Sequence, residues 1–446
     1  MLTPFSDSIE FFREFVNNIQ EVSAVLPTSA YAGDALAAEV ARCTAPKRVL
    51  EVGAGNGAIT VRIAPQIGPN DELTVCELNA SFMQMLRKRF AGDQTLRSIL
   101  PRTNFYEGSI LDFQPTEKFD FIISTLPFNT LPPSFVEAVM QHYIEMLKPG
   151  GILSYIEYIG GRTLKAISKS DADQEQRLAV LRKYQGNRMR SDVVTRNVPP
   201  AWIHHLRFGE APTTAARNLQ PGTQTHQVEI PSFALDSDAL PFIAGAATMA
   251  FLWRKLAPNS RIWLLPATLA ALLAAFFRDP KRQVVADPSL IYAASDGVVL
   301  AVEELTDERF GEQHWLRVAV FLSLLDVHVN RAPVAGKVVE LVQEEGGFAN
   351  ASHAAAEHNQ ALYTVIETGQ GRCIVAQRVG LIARRIVNRC RPGTLLGQGD
   401  KMGLIRFGSR TDVYVPATKA TALVQPGDRV IGGMTALARF RNVDAA

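Results

Sequence analysis

The sequence predicts two domains of different class in series: a doubly wound α/β domain, then a β-rich domain that opens on an apolar helical hairpin. Three observations lead there. Apolar strand-like runs alternate with helix-like stretches over residues 30–160, which implies a parallel sheet with helices on both faces. The stretch 209–229 is rich in Pro, Thr and Gln and poor in apolar residues, as a linker is. From residue 290 onward, short β-branched runs recur between Gly and Pro. At 446 residues the chain exceeds one ordinary domain.

Taken in order, Arg48–Val52, Leu73–Glu77, Phe119–Ser124 and Gly151–Ile156 read as buried strands, with helices around 57–66, 80–91 and 133–147. The expected division is 1–208 for the first domain, 209–229 for the linker and 230–446 for the second domain. Two uncharged runs, Ala239–Trp253 and Ile262–Phe277, fall within 238–278. Each is shorter than the ~18–20 residues of a spanning helix. Arg254, Lys255 and Arg261 lie between them, and Arg278, Lys281 and Arg282 follow. That pattern points to a shallow membrane-associating hairpin, with buried core helices as the alternative. Near the N-terminus, Ile9, Phe12, Phe15, Val16 and Ile19 share one helical face, which is either a core face or an interfacial one.

A net charge of +2 with scattered basic residues gives no reason to expect nucleic acid as a partner. Cys43, Cys76, Cys373 and Cys390 are far apart and the histidines lack ligand spacing, so neither a disulfide framework nor a metal is expected. Met1–Asp7 has no basic region followed by an apolar core, so no signal peptide is expected.

In the first domain the strand ending at Val52 runs into Gly53-Ala54-Gly55-Asn56-Gly57. Glycines there admit a ligand close to the backbone, and Glu77, at the end of the next strand, can accept both hydroxyls of a ribose. A dinucleotide site would want a further glycine at position 58, which is Ala. With Glu51 before the glycines, the block resembles motif I of the class I S-adenosylmethionine methyltransferases. Phe11–Phe15, Val25–Ser29, Cys76–Asn79 and Ser124–Asn129 extend the likeness over residues 8–205 to bacterial phospholipid (phosphatidylethanolamine) N-methyltransferases. The resemblance implies S-adenosylmethionine as cofactor, held by Glu51, Gly53, Gly55, Gly57, Glu77, Ser109, Ile110 and Ser124. Ser109 stands where the family often has Asp, which leaves a retained fold without activity as an alternative. Thr125 stands where related nucleobase enzymes use Asn, which favours a lipid amine over a base. Tyr31 and Tyr158 are further candidates to line the site.

In the second domain, Leu404–Pro416 reads as two short strands meeting at Gly408-Ser409. A Gly-Ser pair is commonly just a turn. At a strained junction, however, the Ser409 hydroxyl can attack the Gly408 carbonyl, and β-elimination from the ester cuts the chain and leaves a pyruvoyl group. Phe276–Pro280, Ser323–Pro333 and Gly380–Ile386 occur in the right order beside it. Together these stretches resemble the short, Gly-Ser-cleaving phosphatidylserine decarboxylases over residues 230–446. The resemblance implies cleavage between 408 and 409, a pyruvoyl that forms a Schiff base with the substrate amine, and His328 as proton donor. Asp296 matches the family's acidic relay position, although Asp-Gly is also a hairpin signal. Longer members carry a second histidine where this chain has Arg331, so an Asp-His-Ser relay for self-cleavage must use His328 or be absent.

The combined expectation is a fusion enzyme acting on phosphatidylserine and phosphatidylethanolamine in a bilayer. Its expected place is the cytoplasmic face of the inner membrane, peripheral or monotopic, and the oligomer to expect, if one forms, is a homodimer. The alternatives are a methyltransferase fold kept as a regulatory or binding module, or one that acts on a non-lipid acceptor such as RNA.

Overall fold

The computed structural model describes residues 28–128, 131–159, 171–220, 227–230, 233–311, 314–381, 385–406 and 409–441. The amphipathic stretch expected near the N-terminus, Asn129 and Gly408 lie outside the described residues. The chain divides into two units, Met1–Ala211 and Pro212–Ala446.

Seven strands build the first unit: β1 (Arg48–Val52), β2 (Glu72–Glu77), β3 (Thr103–Glu107), β4 (Phe119–Ser124), β5 (Leu147–Tyr158), β6 (Arg188–Val194) and β7 (Ala201–Phe208). Their order is β3-β2-β1-β4-β5-β7-β6. The first five run parallel, and β7 is antiparallel to both its neighbours. The order reverses at β1, so the crevice beyond the carboxyl ends of β1 and β4 is where such a sheet takes a ligand. The helix Ala80–Gly92 starts at Asn79, whose side chain accepts from Ser81 N and Phe82 N. Its Met83, Leu86 and Phe90, at helical spacing, pack on Val75 and Ile123. On the other face, Val136, Val139, Met140 and Tyr143 of the helix Pro133–Met146 pack on Leu50, Ile122 and Leu153.

The four expected strands are present, and three were not foreseen. β3 is an edge strand and only half covered, so Asn104 and Glu107 interrupt its apolar run. In β7 two buried histidines interrupt the run; His205 is fully buried and finds Ser154 Oγ at 2.8 Å.

The second unit begins with a small hairpin, β8 (Gln227–Ile230) and β9 (Phe233–Asp236). Two apolar helices follow, Leu240–Leu256 and Leu264–Phe276, packed against each other as the hydropathy pattern implied. No described helix is long and apolar enough to cross a membrane. Next come β10 (Leu290–Tyr292), β11 (Gly297–Thr306), β12 (His314–Leu322), β13 (Val329–Arg331) and β14 (Gly336–Glu344). They are followed by β15 (Ala361–Thr368), β16 (Gly371–Val379), β17 (Arg385–Asn388), β18 (Leu395–Leu396) and β19 (Lys401–Arg406). The last are β20 (Ser409–Pro416), β21 (Ala420–Ala422), β22 (Arg429–Val430) and β23 (Ala436–Phe440). An eight-stranded sheet has the order β18-β14-β15-β16-β20-β12-β11-β22, beside two three-stranded sheets, β13-β19-β17 and β10-β23-β21.

The stretch expected to be a linker is in part structured. Thr213–Asn218 forms a short turn, and a side chain at Gly397 would meet the Leu219 carbonyl at 2.9 Å. Its polar composition hid this, because backbone contact with a glycine leaves no apolar signature.

Candidate functional sites

In the first unit, β1 ends in a loop where Gly53, Gly55 and Gly57 all have positive φ. A side chain at Gly57 would strike Leu86 Cδ1 at 2.6 Å, so only glycine lets the loop turn this tightly. Glu77 closes the other side: one carboxylate oxygen accepts from Gly55 N at 2.8 Å and the other from Asn79 N at 2.9 Å. Each oxygen keeps a second lone pair for a ligand hydroxyl. Burial pushes the Glu77 carboxyl above its ordinary range. Glu51, two residues before Gly53 in β1, is fully buried; its carboxyl is approached by the Thr60 hydroxyl and backbone N–H, but no contact reaches full hydrogen-bond geometry. Burial first, then the nearby Glu77 charge, pushes it up to about 8 against the Thr60 hydrogen bonding. A buried carboxyl so weakly met costs about 1–3 kcal/mol, which an incoming polar group would relieve. Glycine loop, weakly partnered Glu51 and half-satisfied Glu77 together fit a ribose-bearing cationic cofactor.

The remaining residues expected at this site are less open to it. Ser109 is buried and accepts from Leu111 N, capping its own turn, and Ile110 is buried in the core beside it. Ser124 is fully buried, with its hydroxyl accepting from Tyr143 Oη at 3.0 Å, so it supports the motif from within. Thr125 donates to the Gly53 carbonyl at 2.5 Å and ties β4 to the glycine loop, a role its position in the motif did not suggest. Tyr31 is half exposed and bonds Arg196, while Tyr158 lies 3.3 Å from Thr28 Oγ1.

In the second unit the expected strand junction is present, but its two strands belong to different sheets. β19 ends at Arg406 in the three-stranded sheet. β20 begins at Ser409 in the middle of the eight-stranded sheet, opposite Leu322 of β12 and Val379 of β16. Ser409 is fully buried, and among the described residues its Oγ has no hydrogen-bond partner. A buried hydroxyl left unpaired at a chain crossover is exceptional and calls for an explanation beyond packing.

His328 precedes β13, which pairs with β19. Its Nδ1 lies 2.9 Å from the Asp326 carbonyl, which can only accept, so Nδ1 carries the proton and Nε2 the lone pair. Phe276, at the end of the second apolar helix, packs on the imidazole with ring centres 4.2 Å apart. Burial pulls His328 down to about 4. The ring is therefore neutral at pH 7, so it must take up a proton before it can donate one.

Asp296 Oδ2 accepts from Arg282 at 2.7 Å and Oδ1 from Gly432 N at 2.8 Å; neither of these bonds reaches His328. Arg331, where longer relatives have a second histidine, is buried and pairs with Asp279 at 3.1 Å; Asp279 also holds Lys401. So Phe276-Phe277-Arg278-Asp279-Pro280 has a physical meaning that sequence alone hid. Phe276 covers His328, while Asp279 bridges two cations more than 50 residues away in the chain.

The comparisons with known proteins agree with this division. The phosphatidylserine decarboxylase family matches residues 269–438, and a methyltransferase domain family matches residues 49–151. A phosphatidylserine decarboxylase proenzyme of Carboxydothermus hydrogenoformans is 40% identical over 185 residues, 41% of this chain and 86% of the relative. That of Rhodococcus erythropolis is 40% identical over 241 residues, 51% of this chain and 99% of the relative. Among solved structures, the O-methyltransferase TomG from Streptomyces achromogenes is 19% identical with a TM-score of 0.33, covering 43% of this chain and 86% of that one. The N-methyltransferase NodS from Bradyrhizobium japonicum is 17% identical with a TM-score of 0.32, covering 40% and 86%. The chain belongs to the phosphatidylserine decarboxylase family, and ahead of that domain it carries a methyltransferase domain.

Proposed function

We propose that the chain performs two successive reactions on one lipid head group: it decarboxylates phosphatidylserine to phosphatidylethanolamine and N-methylates that amine toward phosphatidylcholine. The observation that carries the first step is the buried Ser409 hydroxyl, unpartnered among the described residues, at the start of β20, with the neutral His328 just before the strand that pairs with β19. His328 Nε2 takes the Ser409 proton, Oγ bonds to the Gly408 carbonyl carbon, and the C–N bond breaks as the Ser409 nitrogen is protonated. Loss of the Ser409 α-proton then expels the Gly408 carboxylate, and hydrolysis of the resulting dehydroalanine releases ammonia. The pyruvoyl so made supplies an electron sink for the pair released when the substrate loses carbon dioxide. His328, by then able to return a proton, is the residue placed to complete the turnover.

For the second step the cofactor is S-adenosylmethionine, which supplies an electrophilic methyl group. The Gly53–Gly57 loop would take it against the backbone, Glu77 its ribose hydroxyls, and Glu51 would gain a stronger polar partner. These residues align donor and acceptor, which is most of what an in-line displacement asks of a protein.

Both substrates lie in a bilayer, and the apolar helices support contact with one. Leu256 and Leu265 are 84% and 72% exposed, Leu252, Leu269 and Leu272 are exposed beside them, and Arg254, Lys255 and Arg261 surround the turn. An apolar face with basic residues at its tip suits peripheral attachment to an anionic surface, here the cytoplasmic face of the inner membrane. Because Phe276 both ends this hairpin and covers His328, the lipid-contacting element reaches the catalytic base.

The test is to incubate the purified chain with phosphatidylserine vesicles and methyl-labelled S-adenosylmethionine. Labelled phospholipid is expected. Unlabelled phosphatidylethanolamine as sole product would refute the methylation step and leave the first unit as a binding module.

A further inference from the structure

Between the three-stranded sheet β13-β19-β17 and the eight-stranded sheet lies a row of side-chain amides, half-buried at Asn388 and fully buried beyond it, that the scheme above does not use. It begins at a backbone group. Cys390 N, which can only donate, bonds Asn388 Oδ1 at 2.6 Å. That fixes the orientation of the Asn388 amide, so its Nδ2 is the end turned onward. It donates to Thr364 Oγ1 at 3.0 Å and to Gln377 Oε1 at 3.4 Å. Gln377 Nε2 then donates to Asn330 Oδ1 at 2.7 Å. Each amide orients the next, and the row ends on Asn330 Nδ2, which is buried and has no acceptor. Asn330 and Gln377 are both fully buried.

An unmet buried donor costs ~1–3 kcal/mol, and a chain of three oriented amides that delivers one calls for an acceptor. The topology says where the acceptor arises. Asn330 pairs with Gly403 of β19 in the three-stranded sheet. Gln377 pairs with Thr411 of β20, two residues beyond the Ser409–Val379 pair, and so shares the Ser409 face of the eight-stranded sheet. The row therefore joins the two sheets that the chain leaves and enters on either side of the cleavage point. The other orphaned polar atom on that face is Ser409 Oγ, the nucleophile.

We propose that Asn330 Nδ2 donates a hydrogen bond to the carbonyl oxygen that Ser409 attacks, stabilising the oxyanion of the acyl shift, with Gln377 and Asn388 as positioning residues that hold the donor end forward. The bond made is Ser409 Oγ to the carbonyl carbon; the carbonyl π pair moves onto oxygen, where the amide meets it, and returns as the C–N bond breaks. No proton passes through the amides. This rests on the reading that the chain cuts itself before Ser409.

The experiment follows self-cleavage of freshly translated full-length chain by gel and mass spectrometry, with the melting temperature of each uncut precursor compared with that of Ser409→Ala. Asn330→Ala removes the donor and is expected to slow cleavage by ~10²–10³-fold, the usual effect of losing one oxyanion donor. Gln377→Glu leaves Asn330 in place but presents an acceptor to it, so the Asn330 amide turns over and its donor is lost; the same direction of change is expected. Gln377→Met, which neither holds nor reverses Asn330, should fall between Gln377→Glu and wild type. A purely structural role would rank the variants by melting temperature instead. Cleavage within threefold of wild type in a folded Asn330→Ala or Gln377→Glu precursor would overturn the proposal. If Asn330→Ala does not fold, the ranking of the two Gln377 variants decides alone. If wild type itself is not cut before Ser409, the cleavage reading fails and this inference falls with it.

Discussion

At the end of β1 burial leaves Glu51 holding a proton, with its pKa near 8; before β13 it strips one from His328, with its pKa near 4. Each unit thus places an uncharged titratable group beside its reactive backbone, and they reach neutrality from opposite sides. The purposes differ. In the first unit the backbone is opened for a ligand that comes from outside, by glycines at positive φ and a weakly partnered acid. In the second the backbone is itself the reactant, and on the proposed scheme the neutral group is the base for the chain's own hydroxyl. Desolvation alone does not tell a binding site from a self-processing one; the neighbouring backbone does.

The sharpest way to break this comparison is to remove the hydroxyl. Ser409→Ala should leave the chain uncut and abolish decarboxylation, while methylation of supplied phosphatidylethanolamine stays within about twofold if the two chemistries are independent. Radiolabel transfer and lipid chromatography on one preparation check both. Next in size is the charge cluster behind the decarboxylase site. Asp279→Asn strands the buried Arg331 and Lys401 and should destabilise the second unit by ~3–5 kcal/mol in urea unfolding. A smaller, ligand-specific loss is expected in the first unit. Gly57→Ala puts a Cβ against Leu86 and at an unfavourable φ, costing ~1–2 kcal/mol of stability and at least tenfold in S-adenosylmethionine affinity by calorimetry, without touching decarboxylation.

The smallest effects are in pH, and they have opposite signs. Glu51 binds a proton more tightly folded than unfolded, so its contribution is full below the ordinary value of 4.5 and is lost as pH rises toward 8. His328 binds one less tightly folded, so its contribution is full above the ordinary value of 6.5 and is lost as pH falls toward 4. Relative to wild type, Glu51→Gln should gain melting temperature as pH goes from 5 to 8, and His328→Gln should gain it as pH goes from 7 to 4. Matching slopes for the two variants would contradict the contrast.

Much of this was legible in the sequence, for identifiable reasons. β1, β2, β4 and β5 are largely buried on both faces and appear as mainly apolar runs. The glycine loop announces itself because no other residue tolerates its φ values. Gly408-Ser409 could be placed between two strands, although not that those strands lie in different sheets, since hydropathy carries no sheet membership. What stayed hidden was pairing at long range. Asp296 was assigned to a relay from its position, yet Arg282 and Gly432 hold it. Asp279, Arg331 and Lys401 form one ion cluster from distant stretches, and the Asn388–Gln377–Asn330 row crosses two sheets. Ser124 shows the reverse case, a motif residue whose hydroxyl is spent on Tyr143.

The account rests most heavily on Ser409, and intact-mass spectrometry of the purified chain tests it directly. The prediction is a chain ending at Gly408 together with a fragment covering 409–446 whose first residue is a pyruvoyl instead of serine. A single uncut chain in a preparation that still decarboxylates phosphatidylserine would contradict it.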